Sequence, residues 1–213
     1  IKQVPDTTEV KLDPKTGRLI RDGVPSIINP DDKNALEEAL RIKDENPDTT
    51  VTVVSMGPPQ ADVAMREALA MGADEAILIS GREFGGSDTW ATSYIIATAI
   101  KKIPDYDIIF CGRQAIDGDT AQVGPQIAEQ LNIPQITYVQ KLDIEGDKVI
   151  VQRQLEDGYT VVEAKMPVLL TAIKELNTPR YMTPKGIFEA YNKTVQVWGF
   201  NDVPVDAEKI GLK

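Results

Sequence analysis

The 213-residue chain has no histidine and a single cysteine, Cys111. Without imidazole, a Ser–His–Asp triad and a His-ligated zinc site are excluded. With one thiol, a CxxC redox pair and a disulfide framework are excluded as well. Few side chains can then move protons near neutral pH, so demanding chemistry has to come from a bound cofactor or a partner chain. Long hydrophobic runs are also missing. The longest, such as residues 167–173, fall far short of the ~20 residues that a membrane span needs. No signal-peptide pattern is seen, so no membrane insertion and a cytoplasmic or similarly reducing compartment are expected. Positive charge is scarce: 33 acidic residues outweigh 23 basic ones, for a net charge of −10. Such a chain repels nucleic acid and anionic lipid, and Lys101-Lys102 reads as a solvated helix end. Phosphate motifs are absent too. Gly81, Gly85 and Gly86 have the wrong spacing for GxGxxG, there is no GxxxxGK[ST], and an SGGxDS loop for ATP cleavage is missing.

What is present is ordinary for a globular protein, with 42% hydrophobic and 26% charged residues. The length fits one large domain with an appendage. The chain opens in mid-pattern at Ile1, so residues are expected ahead of it. Residues 1–4 read as the end of a strand, and 9–28 as turn and hairpin material punctuated by Asp13-Pro14 and Thr16-Gly17. A helix then opens with Asn29 as cap, Pro30 at the first helical position, and Asp31 and Asp32 at the positive dipole end. Its apolar face carries Ala35, Leu36, Ala39 and Leu40, and Pro47 stops it.

Residues 50–55, 76–79 and 107–111 are short, apolar strands, and helices are expected over about 61–71 and 88–102. A further helix has the stripe Val123, Ile127 and Leu131. Short buried strands alternating with amphipathic helices imply a doubly wound, mostly parallel α/β sheet. After Pro134 the pattern becomes antiparallel, with strands over 136–144, 148–155 and 159–164. Residues 167–173 return to a buried strand. From Leu176 the chain reads as loop up to an edge or docking strand at 195–198, and 201–213 has no core of its own. The expected layout is an α/β domain over 1–190, including a hairpin region at about 135–165, and a C-terminal segment over 191–213.

Ligands of open parallel sheets bind beyond the carboxyl ends of the strands. Three such loops stand out: 28–30, 55–58 and 112–124. In the last, Gly118 allows close backbone approach and Thr120 can cap the following helix. That helix N-terminus offers N–H groups to an anionic oxygen. Pro125, lacking an N–H, leaves a carbonyl near Ala121 without its usual partner. Asp117 and Asp119 suit ribose hydroxyls rather than phosphate. The same loop also reads as an ordinary capped turn. Met56 is a pocket wall or core filler, and Cys111, with no histidine to activate it, is a buried apolar residue. Residues 177–191 place exposed-looking aromatics in a loop, as a docking surface would.

These residues resemble the β subunits of electron-transfer flavoproteins. The likeness runs through IKQVPD, SIINPDDKNALEEALRIK, VTVVSMGPPQA, REALAMGADEAILI, CGRQAIDGDTAQVGPQIAEQL, PVLLTAIKELNTPRYMTPKGI and DAEKIGLK. It implies an adenine-nucleotide α-hydrolase-like fold paired with a larger α subunit. It also implies that family chains extend beyond both ends of this one, with a C-terminal arm embracing the α subunit. Matching places the nucleotide at Asn29, Pro30, Met56 and Gly57. The site continues through Asp117, Gly118, Asp119, Thr120, Ala121, Gln122, Val123, Gly124, Pro125, Gln126, Ile127 and Ala128.

The family has two branches. One holds structural AMP on the β subunit and works as a single-FAD shuttle. The other holds a second FAD that takes hydride from NADH and bifurcates electrons, with ferredoxin or flavodoxin as the low-potential acceptor. Gly118 and the run from Thr120 to Pro125 resemble the FAD-binding branch. Gly118 is also physically apt, since losing a carboxylate there reduces repulsion toward a pyrophosphate. Thr178, Pro179, Arg180, Tyr181, Met182, Thr183, Pro184, Lys185, Gly186 and Ile187 match the segment that docks an acyl-CoA dehydrogenase or reductase. The stretch from Glu189 to Lys193 departs from the lysine-rich pattern of AMP-type relatives, implying a different partner of that class. A universal-stress-like, non-redox adenine-nucleotide module is the competing reading from another class.

Overall fold

The computed structural model describes residues 1–6 and 25–211. The hairpin expected over 9–24 lies outside those residues. A short strand β1 (Gln3–Pro5) pairs antiparallel with β2 (Ser26–Ile28), and α1 (Pro30–Glu45) follows directly. Then come β3 (Thr52–Met56), α2 (Asp62–Met71), β4 (Glu75–Ile79), α3 (Thr89–Ile100), β5 (Ile108–Gly112) and α4 (Val123–Leu131). The antiparallel region is β6 (Gln135–Glu145), β7 (Lys148–Leu155) and β8 (Gly158–Lys165), as its alternation predicts. The last elements are β9 (Val168–Ala172), α5 (Pro184–Asn192) and β10 (Val195–Trp198).

Two larger sheets result. One is parallel with order β10-β4-β3, and the other has order β5-β9-β6-β7-β8. In the second, β5, β9 and β6 run parallel while β7 and β8 fold back antiparallel. Alternation along the parallel strands gives them two buried faces. Val168 and Leu170 of β9 pack with Ala35 of α1, whereas Leu169 between them packs with Ile127 and Ala128 of α4. Likewise Val53 of β3 joins the α1–α2 layer, and Val54 joins Ile95 of α3. Helices therefore cover both faces, which is the doubly wound arrangement that the alternation of elements predicts.

Two expectations change. The stretch before Val195 contains a helix, α5, rather than loop alone. Thr183 caps it by accepting from Gly186 N at 3.0 Å, with Pro184 at its first position. The end of the chain also finds a core. β10 pairs with β4, and Val203 and Ile210 are buried against Ile79, Phe84 and Ile95.

The closest backbone approach sits where β5 meets α1. A Cβ added at Gly112 would lie 2.6 Å from Asp32 Oδ1 and 2.7 Å from Asp32 N. Gly112→Ala is therefore expected to cost about 1–3 kcal/mol through forced displacement. Thermal melts should show a loss of about 2–4 °C per kcal/mol.

Candidate functional site

The loop after β5 is held from three sides. Asp32, buried in the first turn of α1, accepts from Gly112 N at 2.7 Å and from Lys2 N at 2.7 Å. Asn29 is fully buried, with 0% of its surface exposed. Its side chain does not cap α1, as the sequence had implied. Instead its Nδ2 donates to Gln114 O at 2.8 Å, and its Oδ1 accepts from Ile116 N at 3.0 Å. The third hold is Lys2 Nζ, 2.6 Å from Asp117 Oδ1. Beyond it, Gln114 Nε2 donates to the Asp119 carboxylate, and Thr89 Oγ1 donates to Gln122 Oε1 at 3.0 Å.

This loop carries backbone strain. Asp119 and Ala121 have φ of 54° and 53°. For a residue with a side chain that conformation costs roughly 1–2 kcal/mol, and such strain collects at functional segments. It also explains why Thr120 caps nothing. The two left-handed residues delay α4 until Val123, whose preceding residue Gln122 makes no side-chain cap. Pro125 then falls at the third helical position, where the N–H would have no intrahelical partner anyway, so the first turn carries no flaw.

The remaining predicted site residues separate into two groups. Gly118 faces open space, since an added Cβ would meet only Lys2 Nζ, at 4.0 Å. Gly124 serves packing instead: a Cβ there would come 2.8 Å from Cys111 Sγ. Ile127 and Ala128 are given to the core against Leu169, with Val123 partly buried beside them. Gln126 keeps a buried Oε1 with no hydrogen-bond partner. Pro30 is exposed, and Met56 is half-buried against Ile79 and Ile95. Gly57 N is fixed to Ile79 O at 3.0 Å. Ile1 N donates to Val54 O at 2.9 Å, which ties β3 to the segment carrying Lys2.

Burial raises the Asp31 carboxyl above the usual range, with Arg113 opposing it. Burial also pushes the Cys111 thiol up to about 12, so it stays a neutral thiol. Among the described residues no group of His, Cys, Asp or Glu is placed to hold a metal ion, and no helix is long and apolar enough to cross a membrane. Two concavities lie away from this loop. One, about 340 Å³, is lined by Met71, Arg180, Tyr181 and Lys185. The other, about 490 Å³, is lined by Arg82, Phe200 and Ile210. The 113–122 loop is instead an open shelf.

A second surface follows β9. Arg180 is not free for docking, because Glu37 and Asp44 grip its guanidinium at 2.9 and 2.7 Å. Those hydrogen bonds raise the pKa of Arg180 and hold the Asp44 carboxyl below its usual range. Asn177 bonds Asn34 and Glu38 alongside, so the segment is strapped to α1. Gly186 is pressed against the Ala70 carbonyl. Pro179 is half-buried, and Thr178, Met182, Thr183, Pro184, Lys185 and Ile187 are exposed. Tyr181 is 95% exposed and Phe188 76% exposed, and Tyr191 stands beside them. Phe188 and Tyr191 belong to the 177–191 stretch whose aromatics mark it in the sequence as a docking surface.

The Asn29 contacts yield a prediction. Asn29→Ala leaves Gln114 O and Ile116 N without partners, at a cost of about 1–3 kcal/mol. Amide exchange of Ile116 and its loop neighbours should accelerate while the interior of α1 keeps its protection. Uniform acceleration throughout α1 would contradict this.

A family model described as an electron transfer flavoprotein domain matches residues 16–203. The electron transfer flavoprotein subunit beta of Thermoanaerobacterium thermosaccharolyticum is 67% identical over 214 residues, covering 100% of this chain and 82% of that protein. The subunit beta of Clostridium acetobutylicum is 64% identical over 213 residues, again covering 100% and 82%. The caffeyl-CoA reductase-Etf complex subunit CarD of Acetobacterium woodii is 61% identical over 211 residues, covering 99% and 80%. The chain therefore belongs to the electron transfer flavoprotein family, among its β subunits.

Proposed function

We propose that this chain, paired with an electron-transfer flavoprotein α subunit, holds an FAD on the 113–122 shelf. That FAD accepts hydride from NADH and passes electrons by bifurcation to an acyl-CoA reductase or dehydrogenase and to ferredoxin or flavodoxin. The observation carrying this reading is Gly118. Its missing side chain opens onto free space on a pre-braced loop, where a larger acidic residue would crowd and repel a pyrophosphate. The similarity to a subunit of a caffeyl-CoA reductase-Etf complex agrees with it. The residues present fit a nucleotide. Gln126 has a buried acceptor awaiting a donor, Asp119 presents a carboxylate near the loop surface, and Met56 walls the β3 side. When bound, the flavin supplies the redox chemistry; the chain supplies position, electrostatics and exclusion of water. Residues 191–213 are assigned to contact with the α subunit, alongside the packing they make on their own domain.

The competing occupant is AMP, with the single-FAD shuttle that goes with it. Co-expression with the α subunit, followed by acid release and a count of FAD and AMP per heterodimer, decides between them. Two FAD and no AMP support bifurcation; one FAD with one AMP overturns it. No flavin and no heterodimer would leave the non-redox module. In the two-FAD case, Gly118→Asp should weaken retention of the β-side FAD roughly tenfold, by placing a charge beside the phosphates.

The docking assignment has its own test. Phe188→Ala and Tyr181→Ala should each raise the half-saturating concentration of the acyl-CoA-dehydrogenase-type partner about 5–30-fold, as loss of an aromatic anchor does. Their melting temperatures should stay at the wild-type value, because both rings are largely exposed. Arg180→Ala should lower both docking and melting temperature, since it removes the strap.

A further inference from the structure

β6 carries a bulge. Its register against β9 shifts between Ile136 and Val139, and against β7 between Val139 and Lys141. Tyr138 lies within it at φ 58°, a left-handed conformation that bulky residues seldom adopt and that costs roughly 1–2 kcal/mol. Its N–H is held by Thr171 Oγ1 at 3.1 Å. Bulges re-aim side chains, and this one turns the ring toward two guanidiniums. Arg113 Cζ is 5.8 Å from the ring centroid, and Arg153 Cζ is 5.9 Å from it.

The charges here are poorly matched. Arg113 Nε is buried with no hydrogen-bond partner. It faces Asp31 Oδ2 at 3.4 Å, which is too long for a strong bond. Arg153 Nε donates to Thr137 Oγ1 at 3.3 Å, and no ion pair joins Arg153 to a carboxylate of the described residues. In a chain of net charge −10, two half-buried guanidiniums thus share one ring, and the carboxylate beside it, Asp31, faces Arg113 alone. Planar guanidiniums with donors left over suit phosphate oxygens.

Position narrows the ligand. Arg113 is the first residue after β5, and Thr171 is next to last in β9. The cluster therefore lies beyond the carboxyl ends of parallel strands, at the root of the 113–122 shelf. The shelf's own cation, Lys2, is already engaged by Asp117. A dinucleotide at this edge needs cations for its doubly charged pyrophosphate, and Arg113 and Arg153 are placed to provide them.

We infer that Arg113, Tyr138 and Arg153 form a pyrophosphate-binding subsite for a dinucleotide, with the tyrosine ring backing both guanidiniums. The identity of the dinucleotide, resident FAD or donor NADH, rests on the redox reading above; the anion chemistry does not. The test uses the full chain in complex with its α subunit, as Arg113→Gln, Arg153→Gln and the double variant. Arg82→Gln, on an exposed arginine elsewhere, is the control for net charge. Three quantities are measured: FAD per heterodimer, NADH affinity by equilibrium titration, and binding of inorganic pyrophosphate at fixed ionic strength.

Loss of FAD from the arginine variants supports the subsite and assigns it to the resident cofactor. Retained FAD with NADH affinity at least about tenfold weaker supports it and assigns it to the donor. Unchanged FAD content, NADH affinity and pyrophosphate binding in the double variant overturn it. A wild-type complex with no second FAD defeats the redox reading alone. The subsite is then decided by pyrophosphate, with about tenfold weaker binding in the double variant supporting it and equal binding overturning it. Where a glutamine variant fails to fold, the lysine variants keep the charge but lose the planar fork. Their pyrophosphate affinity should fall between wild type and the glutamine expectation, and wild-type affinity would overturn the fork geometry.

Discussion

Both oxygens of the Asp32 carboxylate are occupied by backbone N–H groups from distant parts of the chain, one from Lys2 and one from Gly112. Charge-assisted bonds of this kind are about twice as strong as neutral ones. Removing the carboxylate would leave two N–H groups without partners, one of them buried. Because Asp32 lies in the first turn of α1, this one side chain fixes the helix start, the first strand and the end of β5 at a single point. The absence of a Cβ at Gly112 is what permits that approach. Everything that shapes the 113–122 shelf is built outward from there. Asn29, three residues earlier, holds Gln114 and Ile116, and Lys2 holds Asp117. A loop braced in this way would lose little freedom of its own on taking a ligand, and such preorganisation is where affinity is gained.

The opposite face of α1 does a different task with the same kind of chemistry. Asn34, Glu37 and Glu38 are buried polar residues on a helix that also supplies core. They are satisfied by Asn177 and Arg180 of the segment after β9. One helix thus positions the 113–122 shelf at its N-terminus and the exposed aromatics along its flank. Buried polar seams of this kind specify one arrangement more than they add stability. Tyr181, Phe188 and Tyr191 can be presented to water only because the backbone beneath them is fastened.

Local signals located most of these elements. The Asn29-Pro30 start of α1, the turn at Glu145-Gly146-Asp147 and the β-branched strand at 52–56 each follow from chemistry within a few residues. The same reasoning missed α5, although Thr183-Pro184 repeats the Asn29-Pro30 signature. Ile187, Phe188 and Tyr191 point outward and only Ala190 is buried, so no apolar face marked the helix. Thr120 is legible as a cap, yet the left-handed Asp119 and Ala121 intervene, and no local pattern of residue types announces those angles. The core role of Val203 and Ile210 was equally hidden, because their partners Ile79, Phe84 and Ile95 lie on other elements. At the site, the loop could be read from its glycines and acids. The convergence of Arg113, Tyr138 and Arg153 depends on a bulge that no local pattern encodes.

The pairing of β10 with β4 bears on how the chain is made as well as how it is held. β4 is synthesised well before β10, and its residues Ala76, Ile77, Leu78 and Ile79 are apolar and all buried in the finished fold. The strand that covers it arrives almost at the end of the described residues. At about 5–20 residues per second of synthesis, that edge of β4 stands open for on the order of ten seconds, offering unpaired N–H and C=O groups to any other extended chain. The nascent subunit is thus most prone to misassociation in the interval before Val195 emerges. A chain cut short of that residue would lack its own means of closing the sheet.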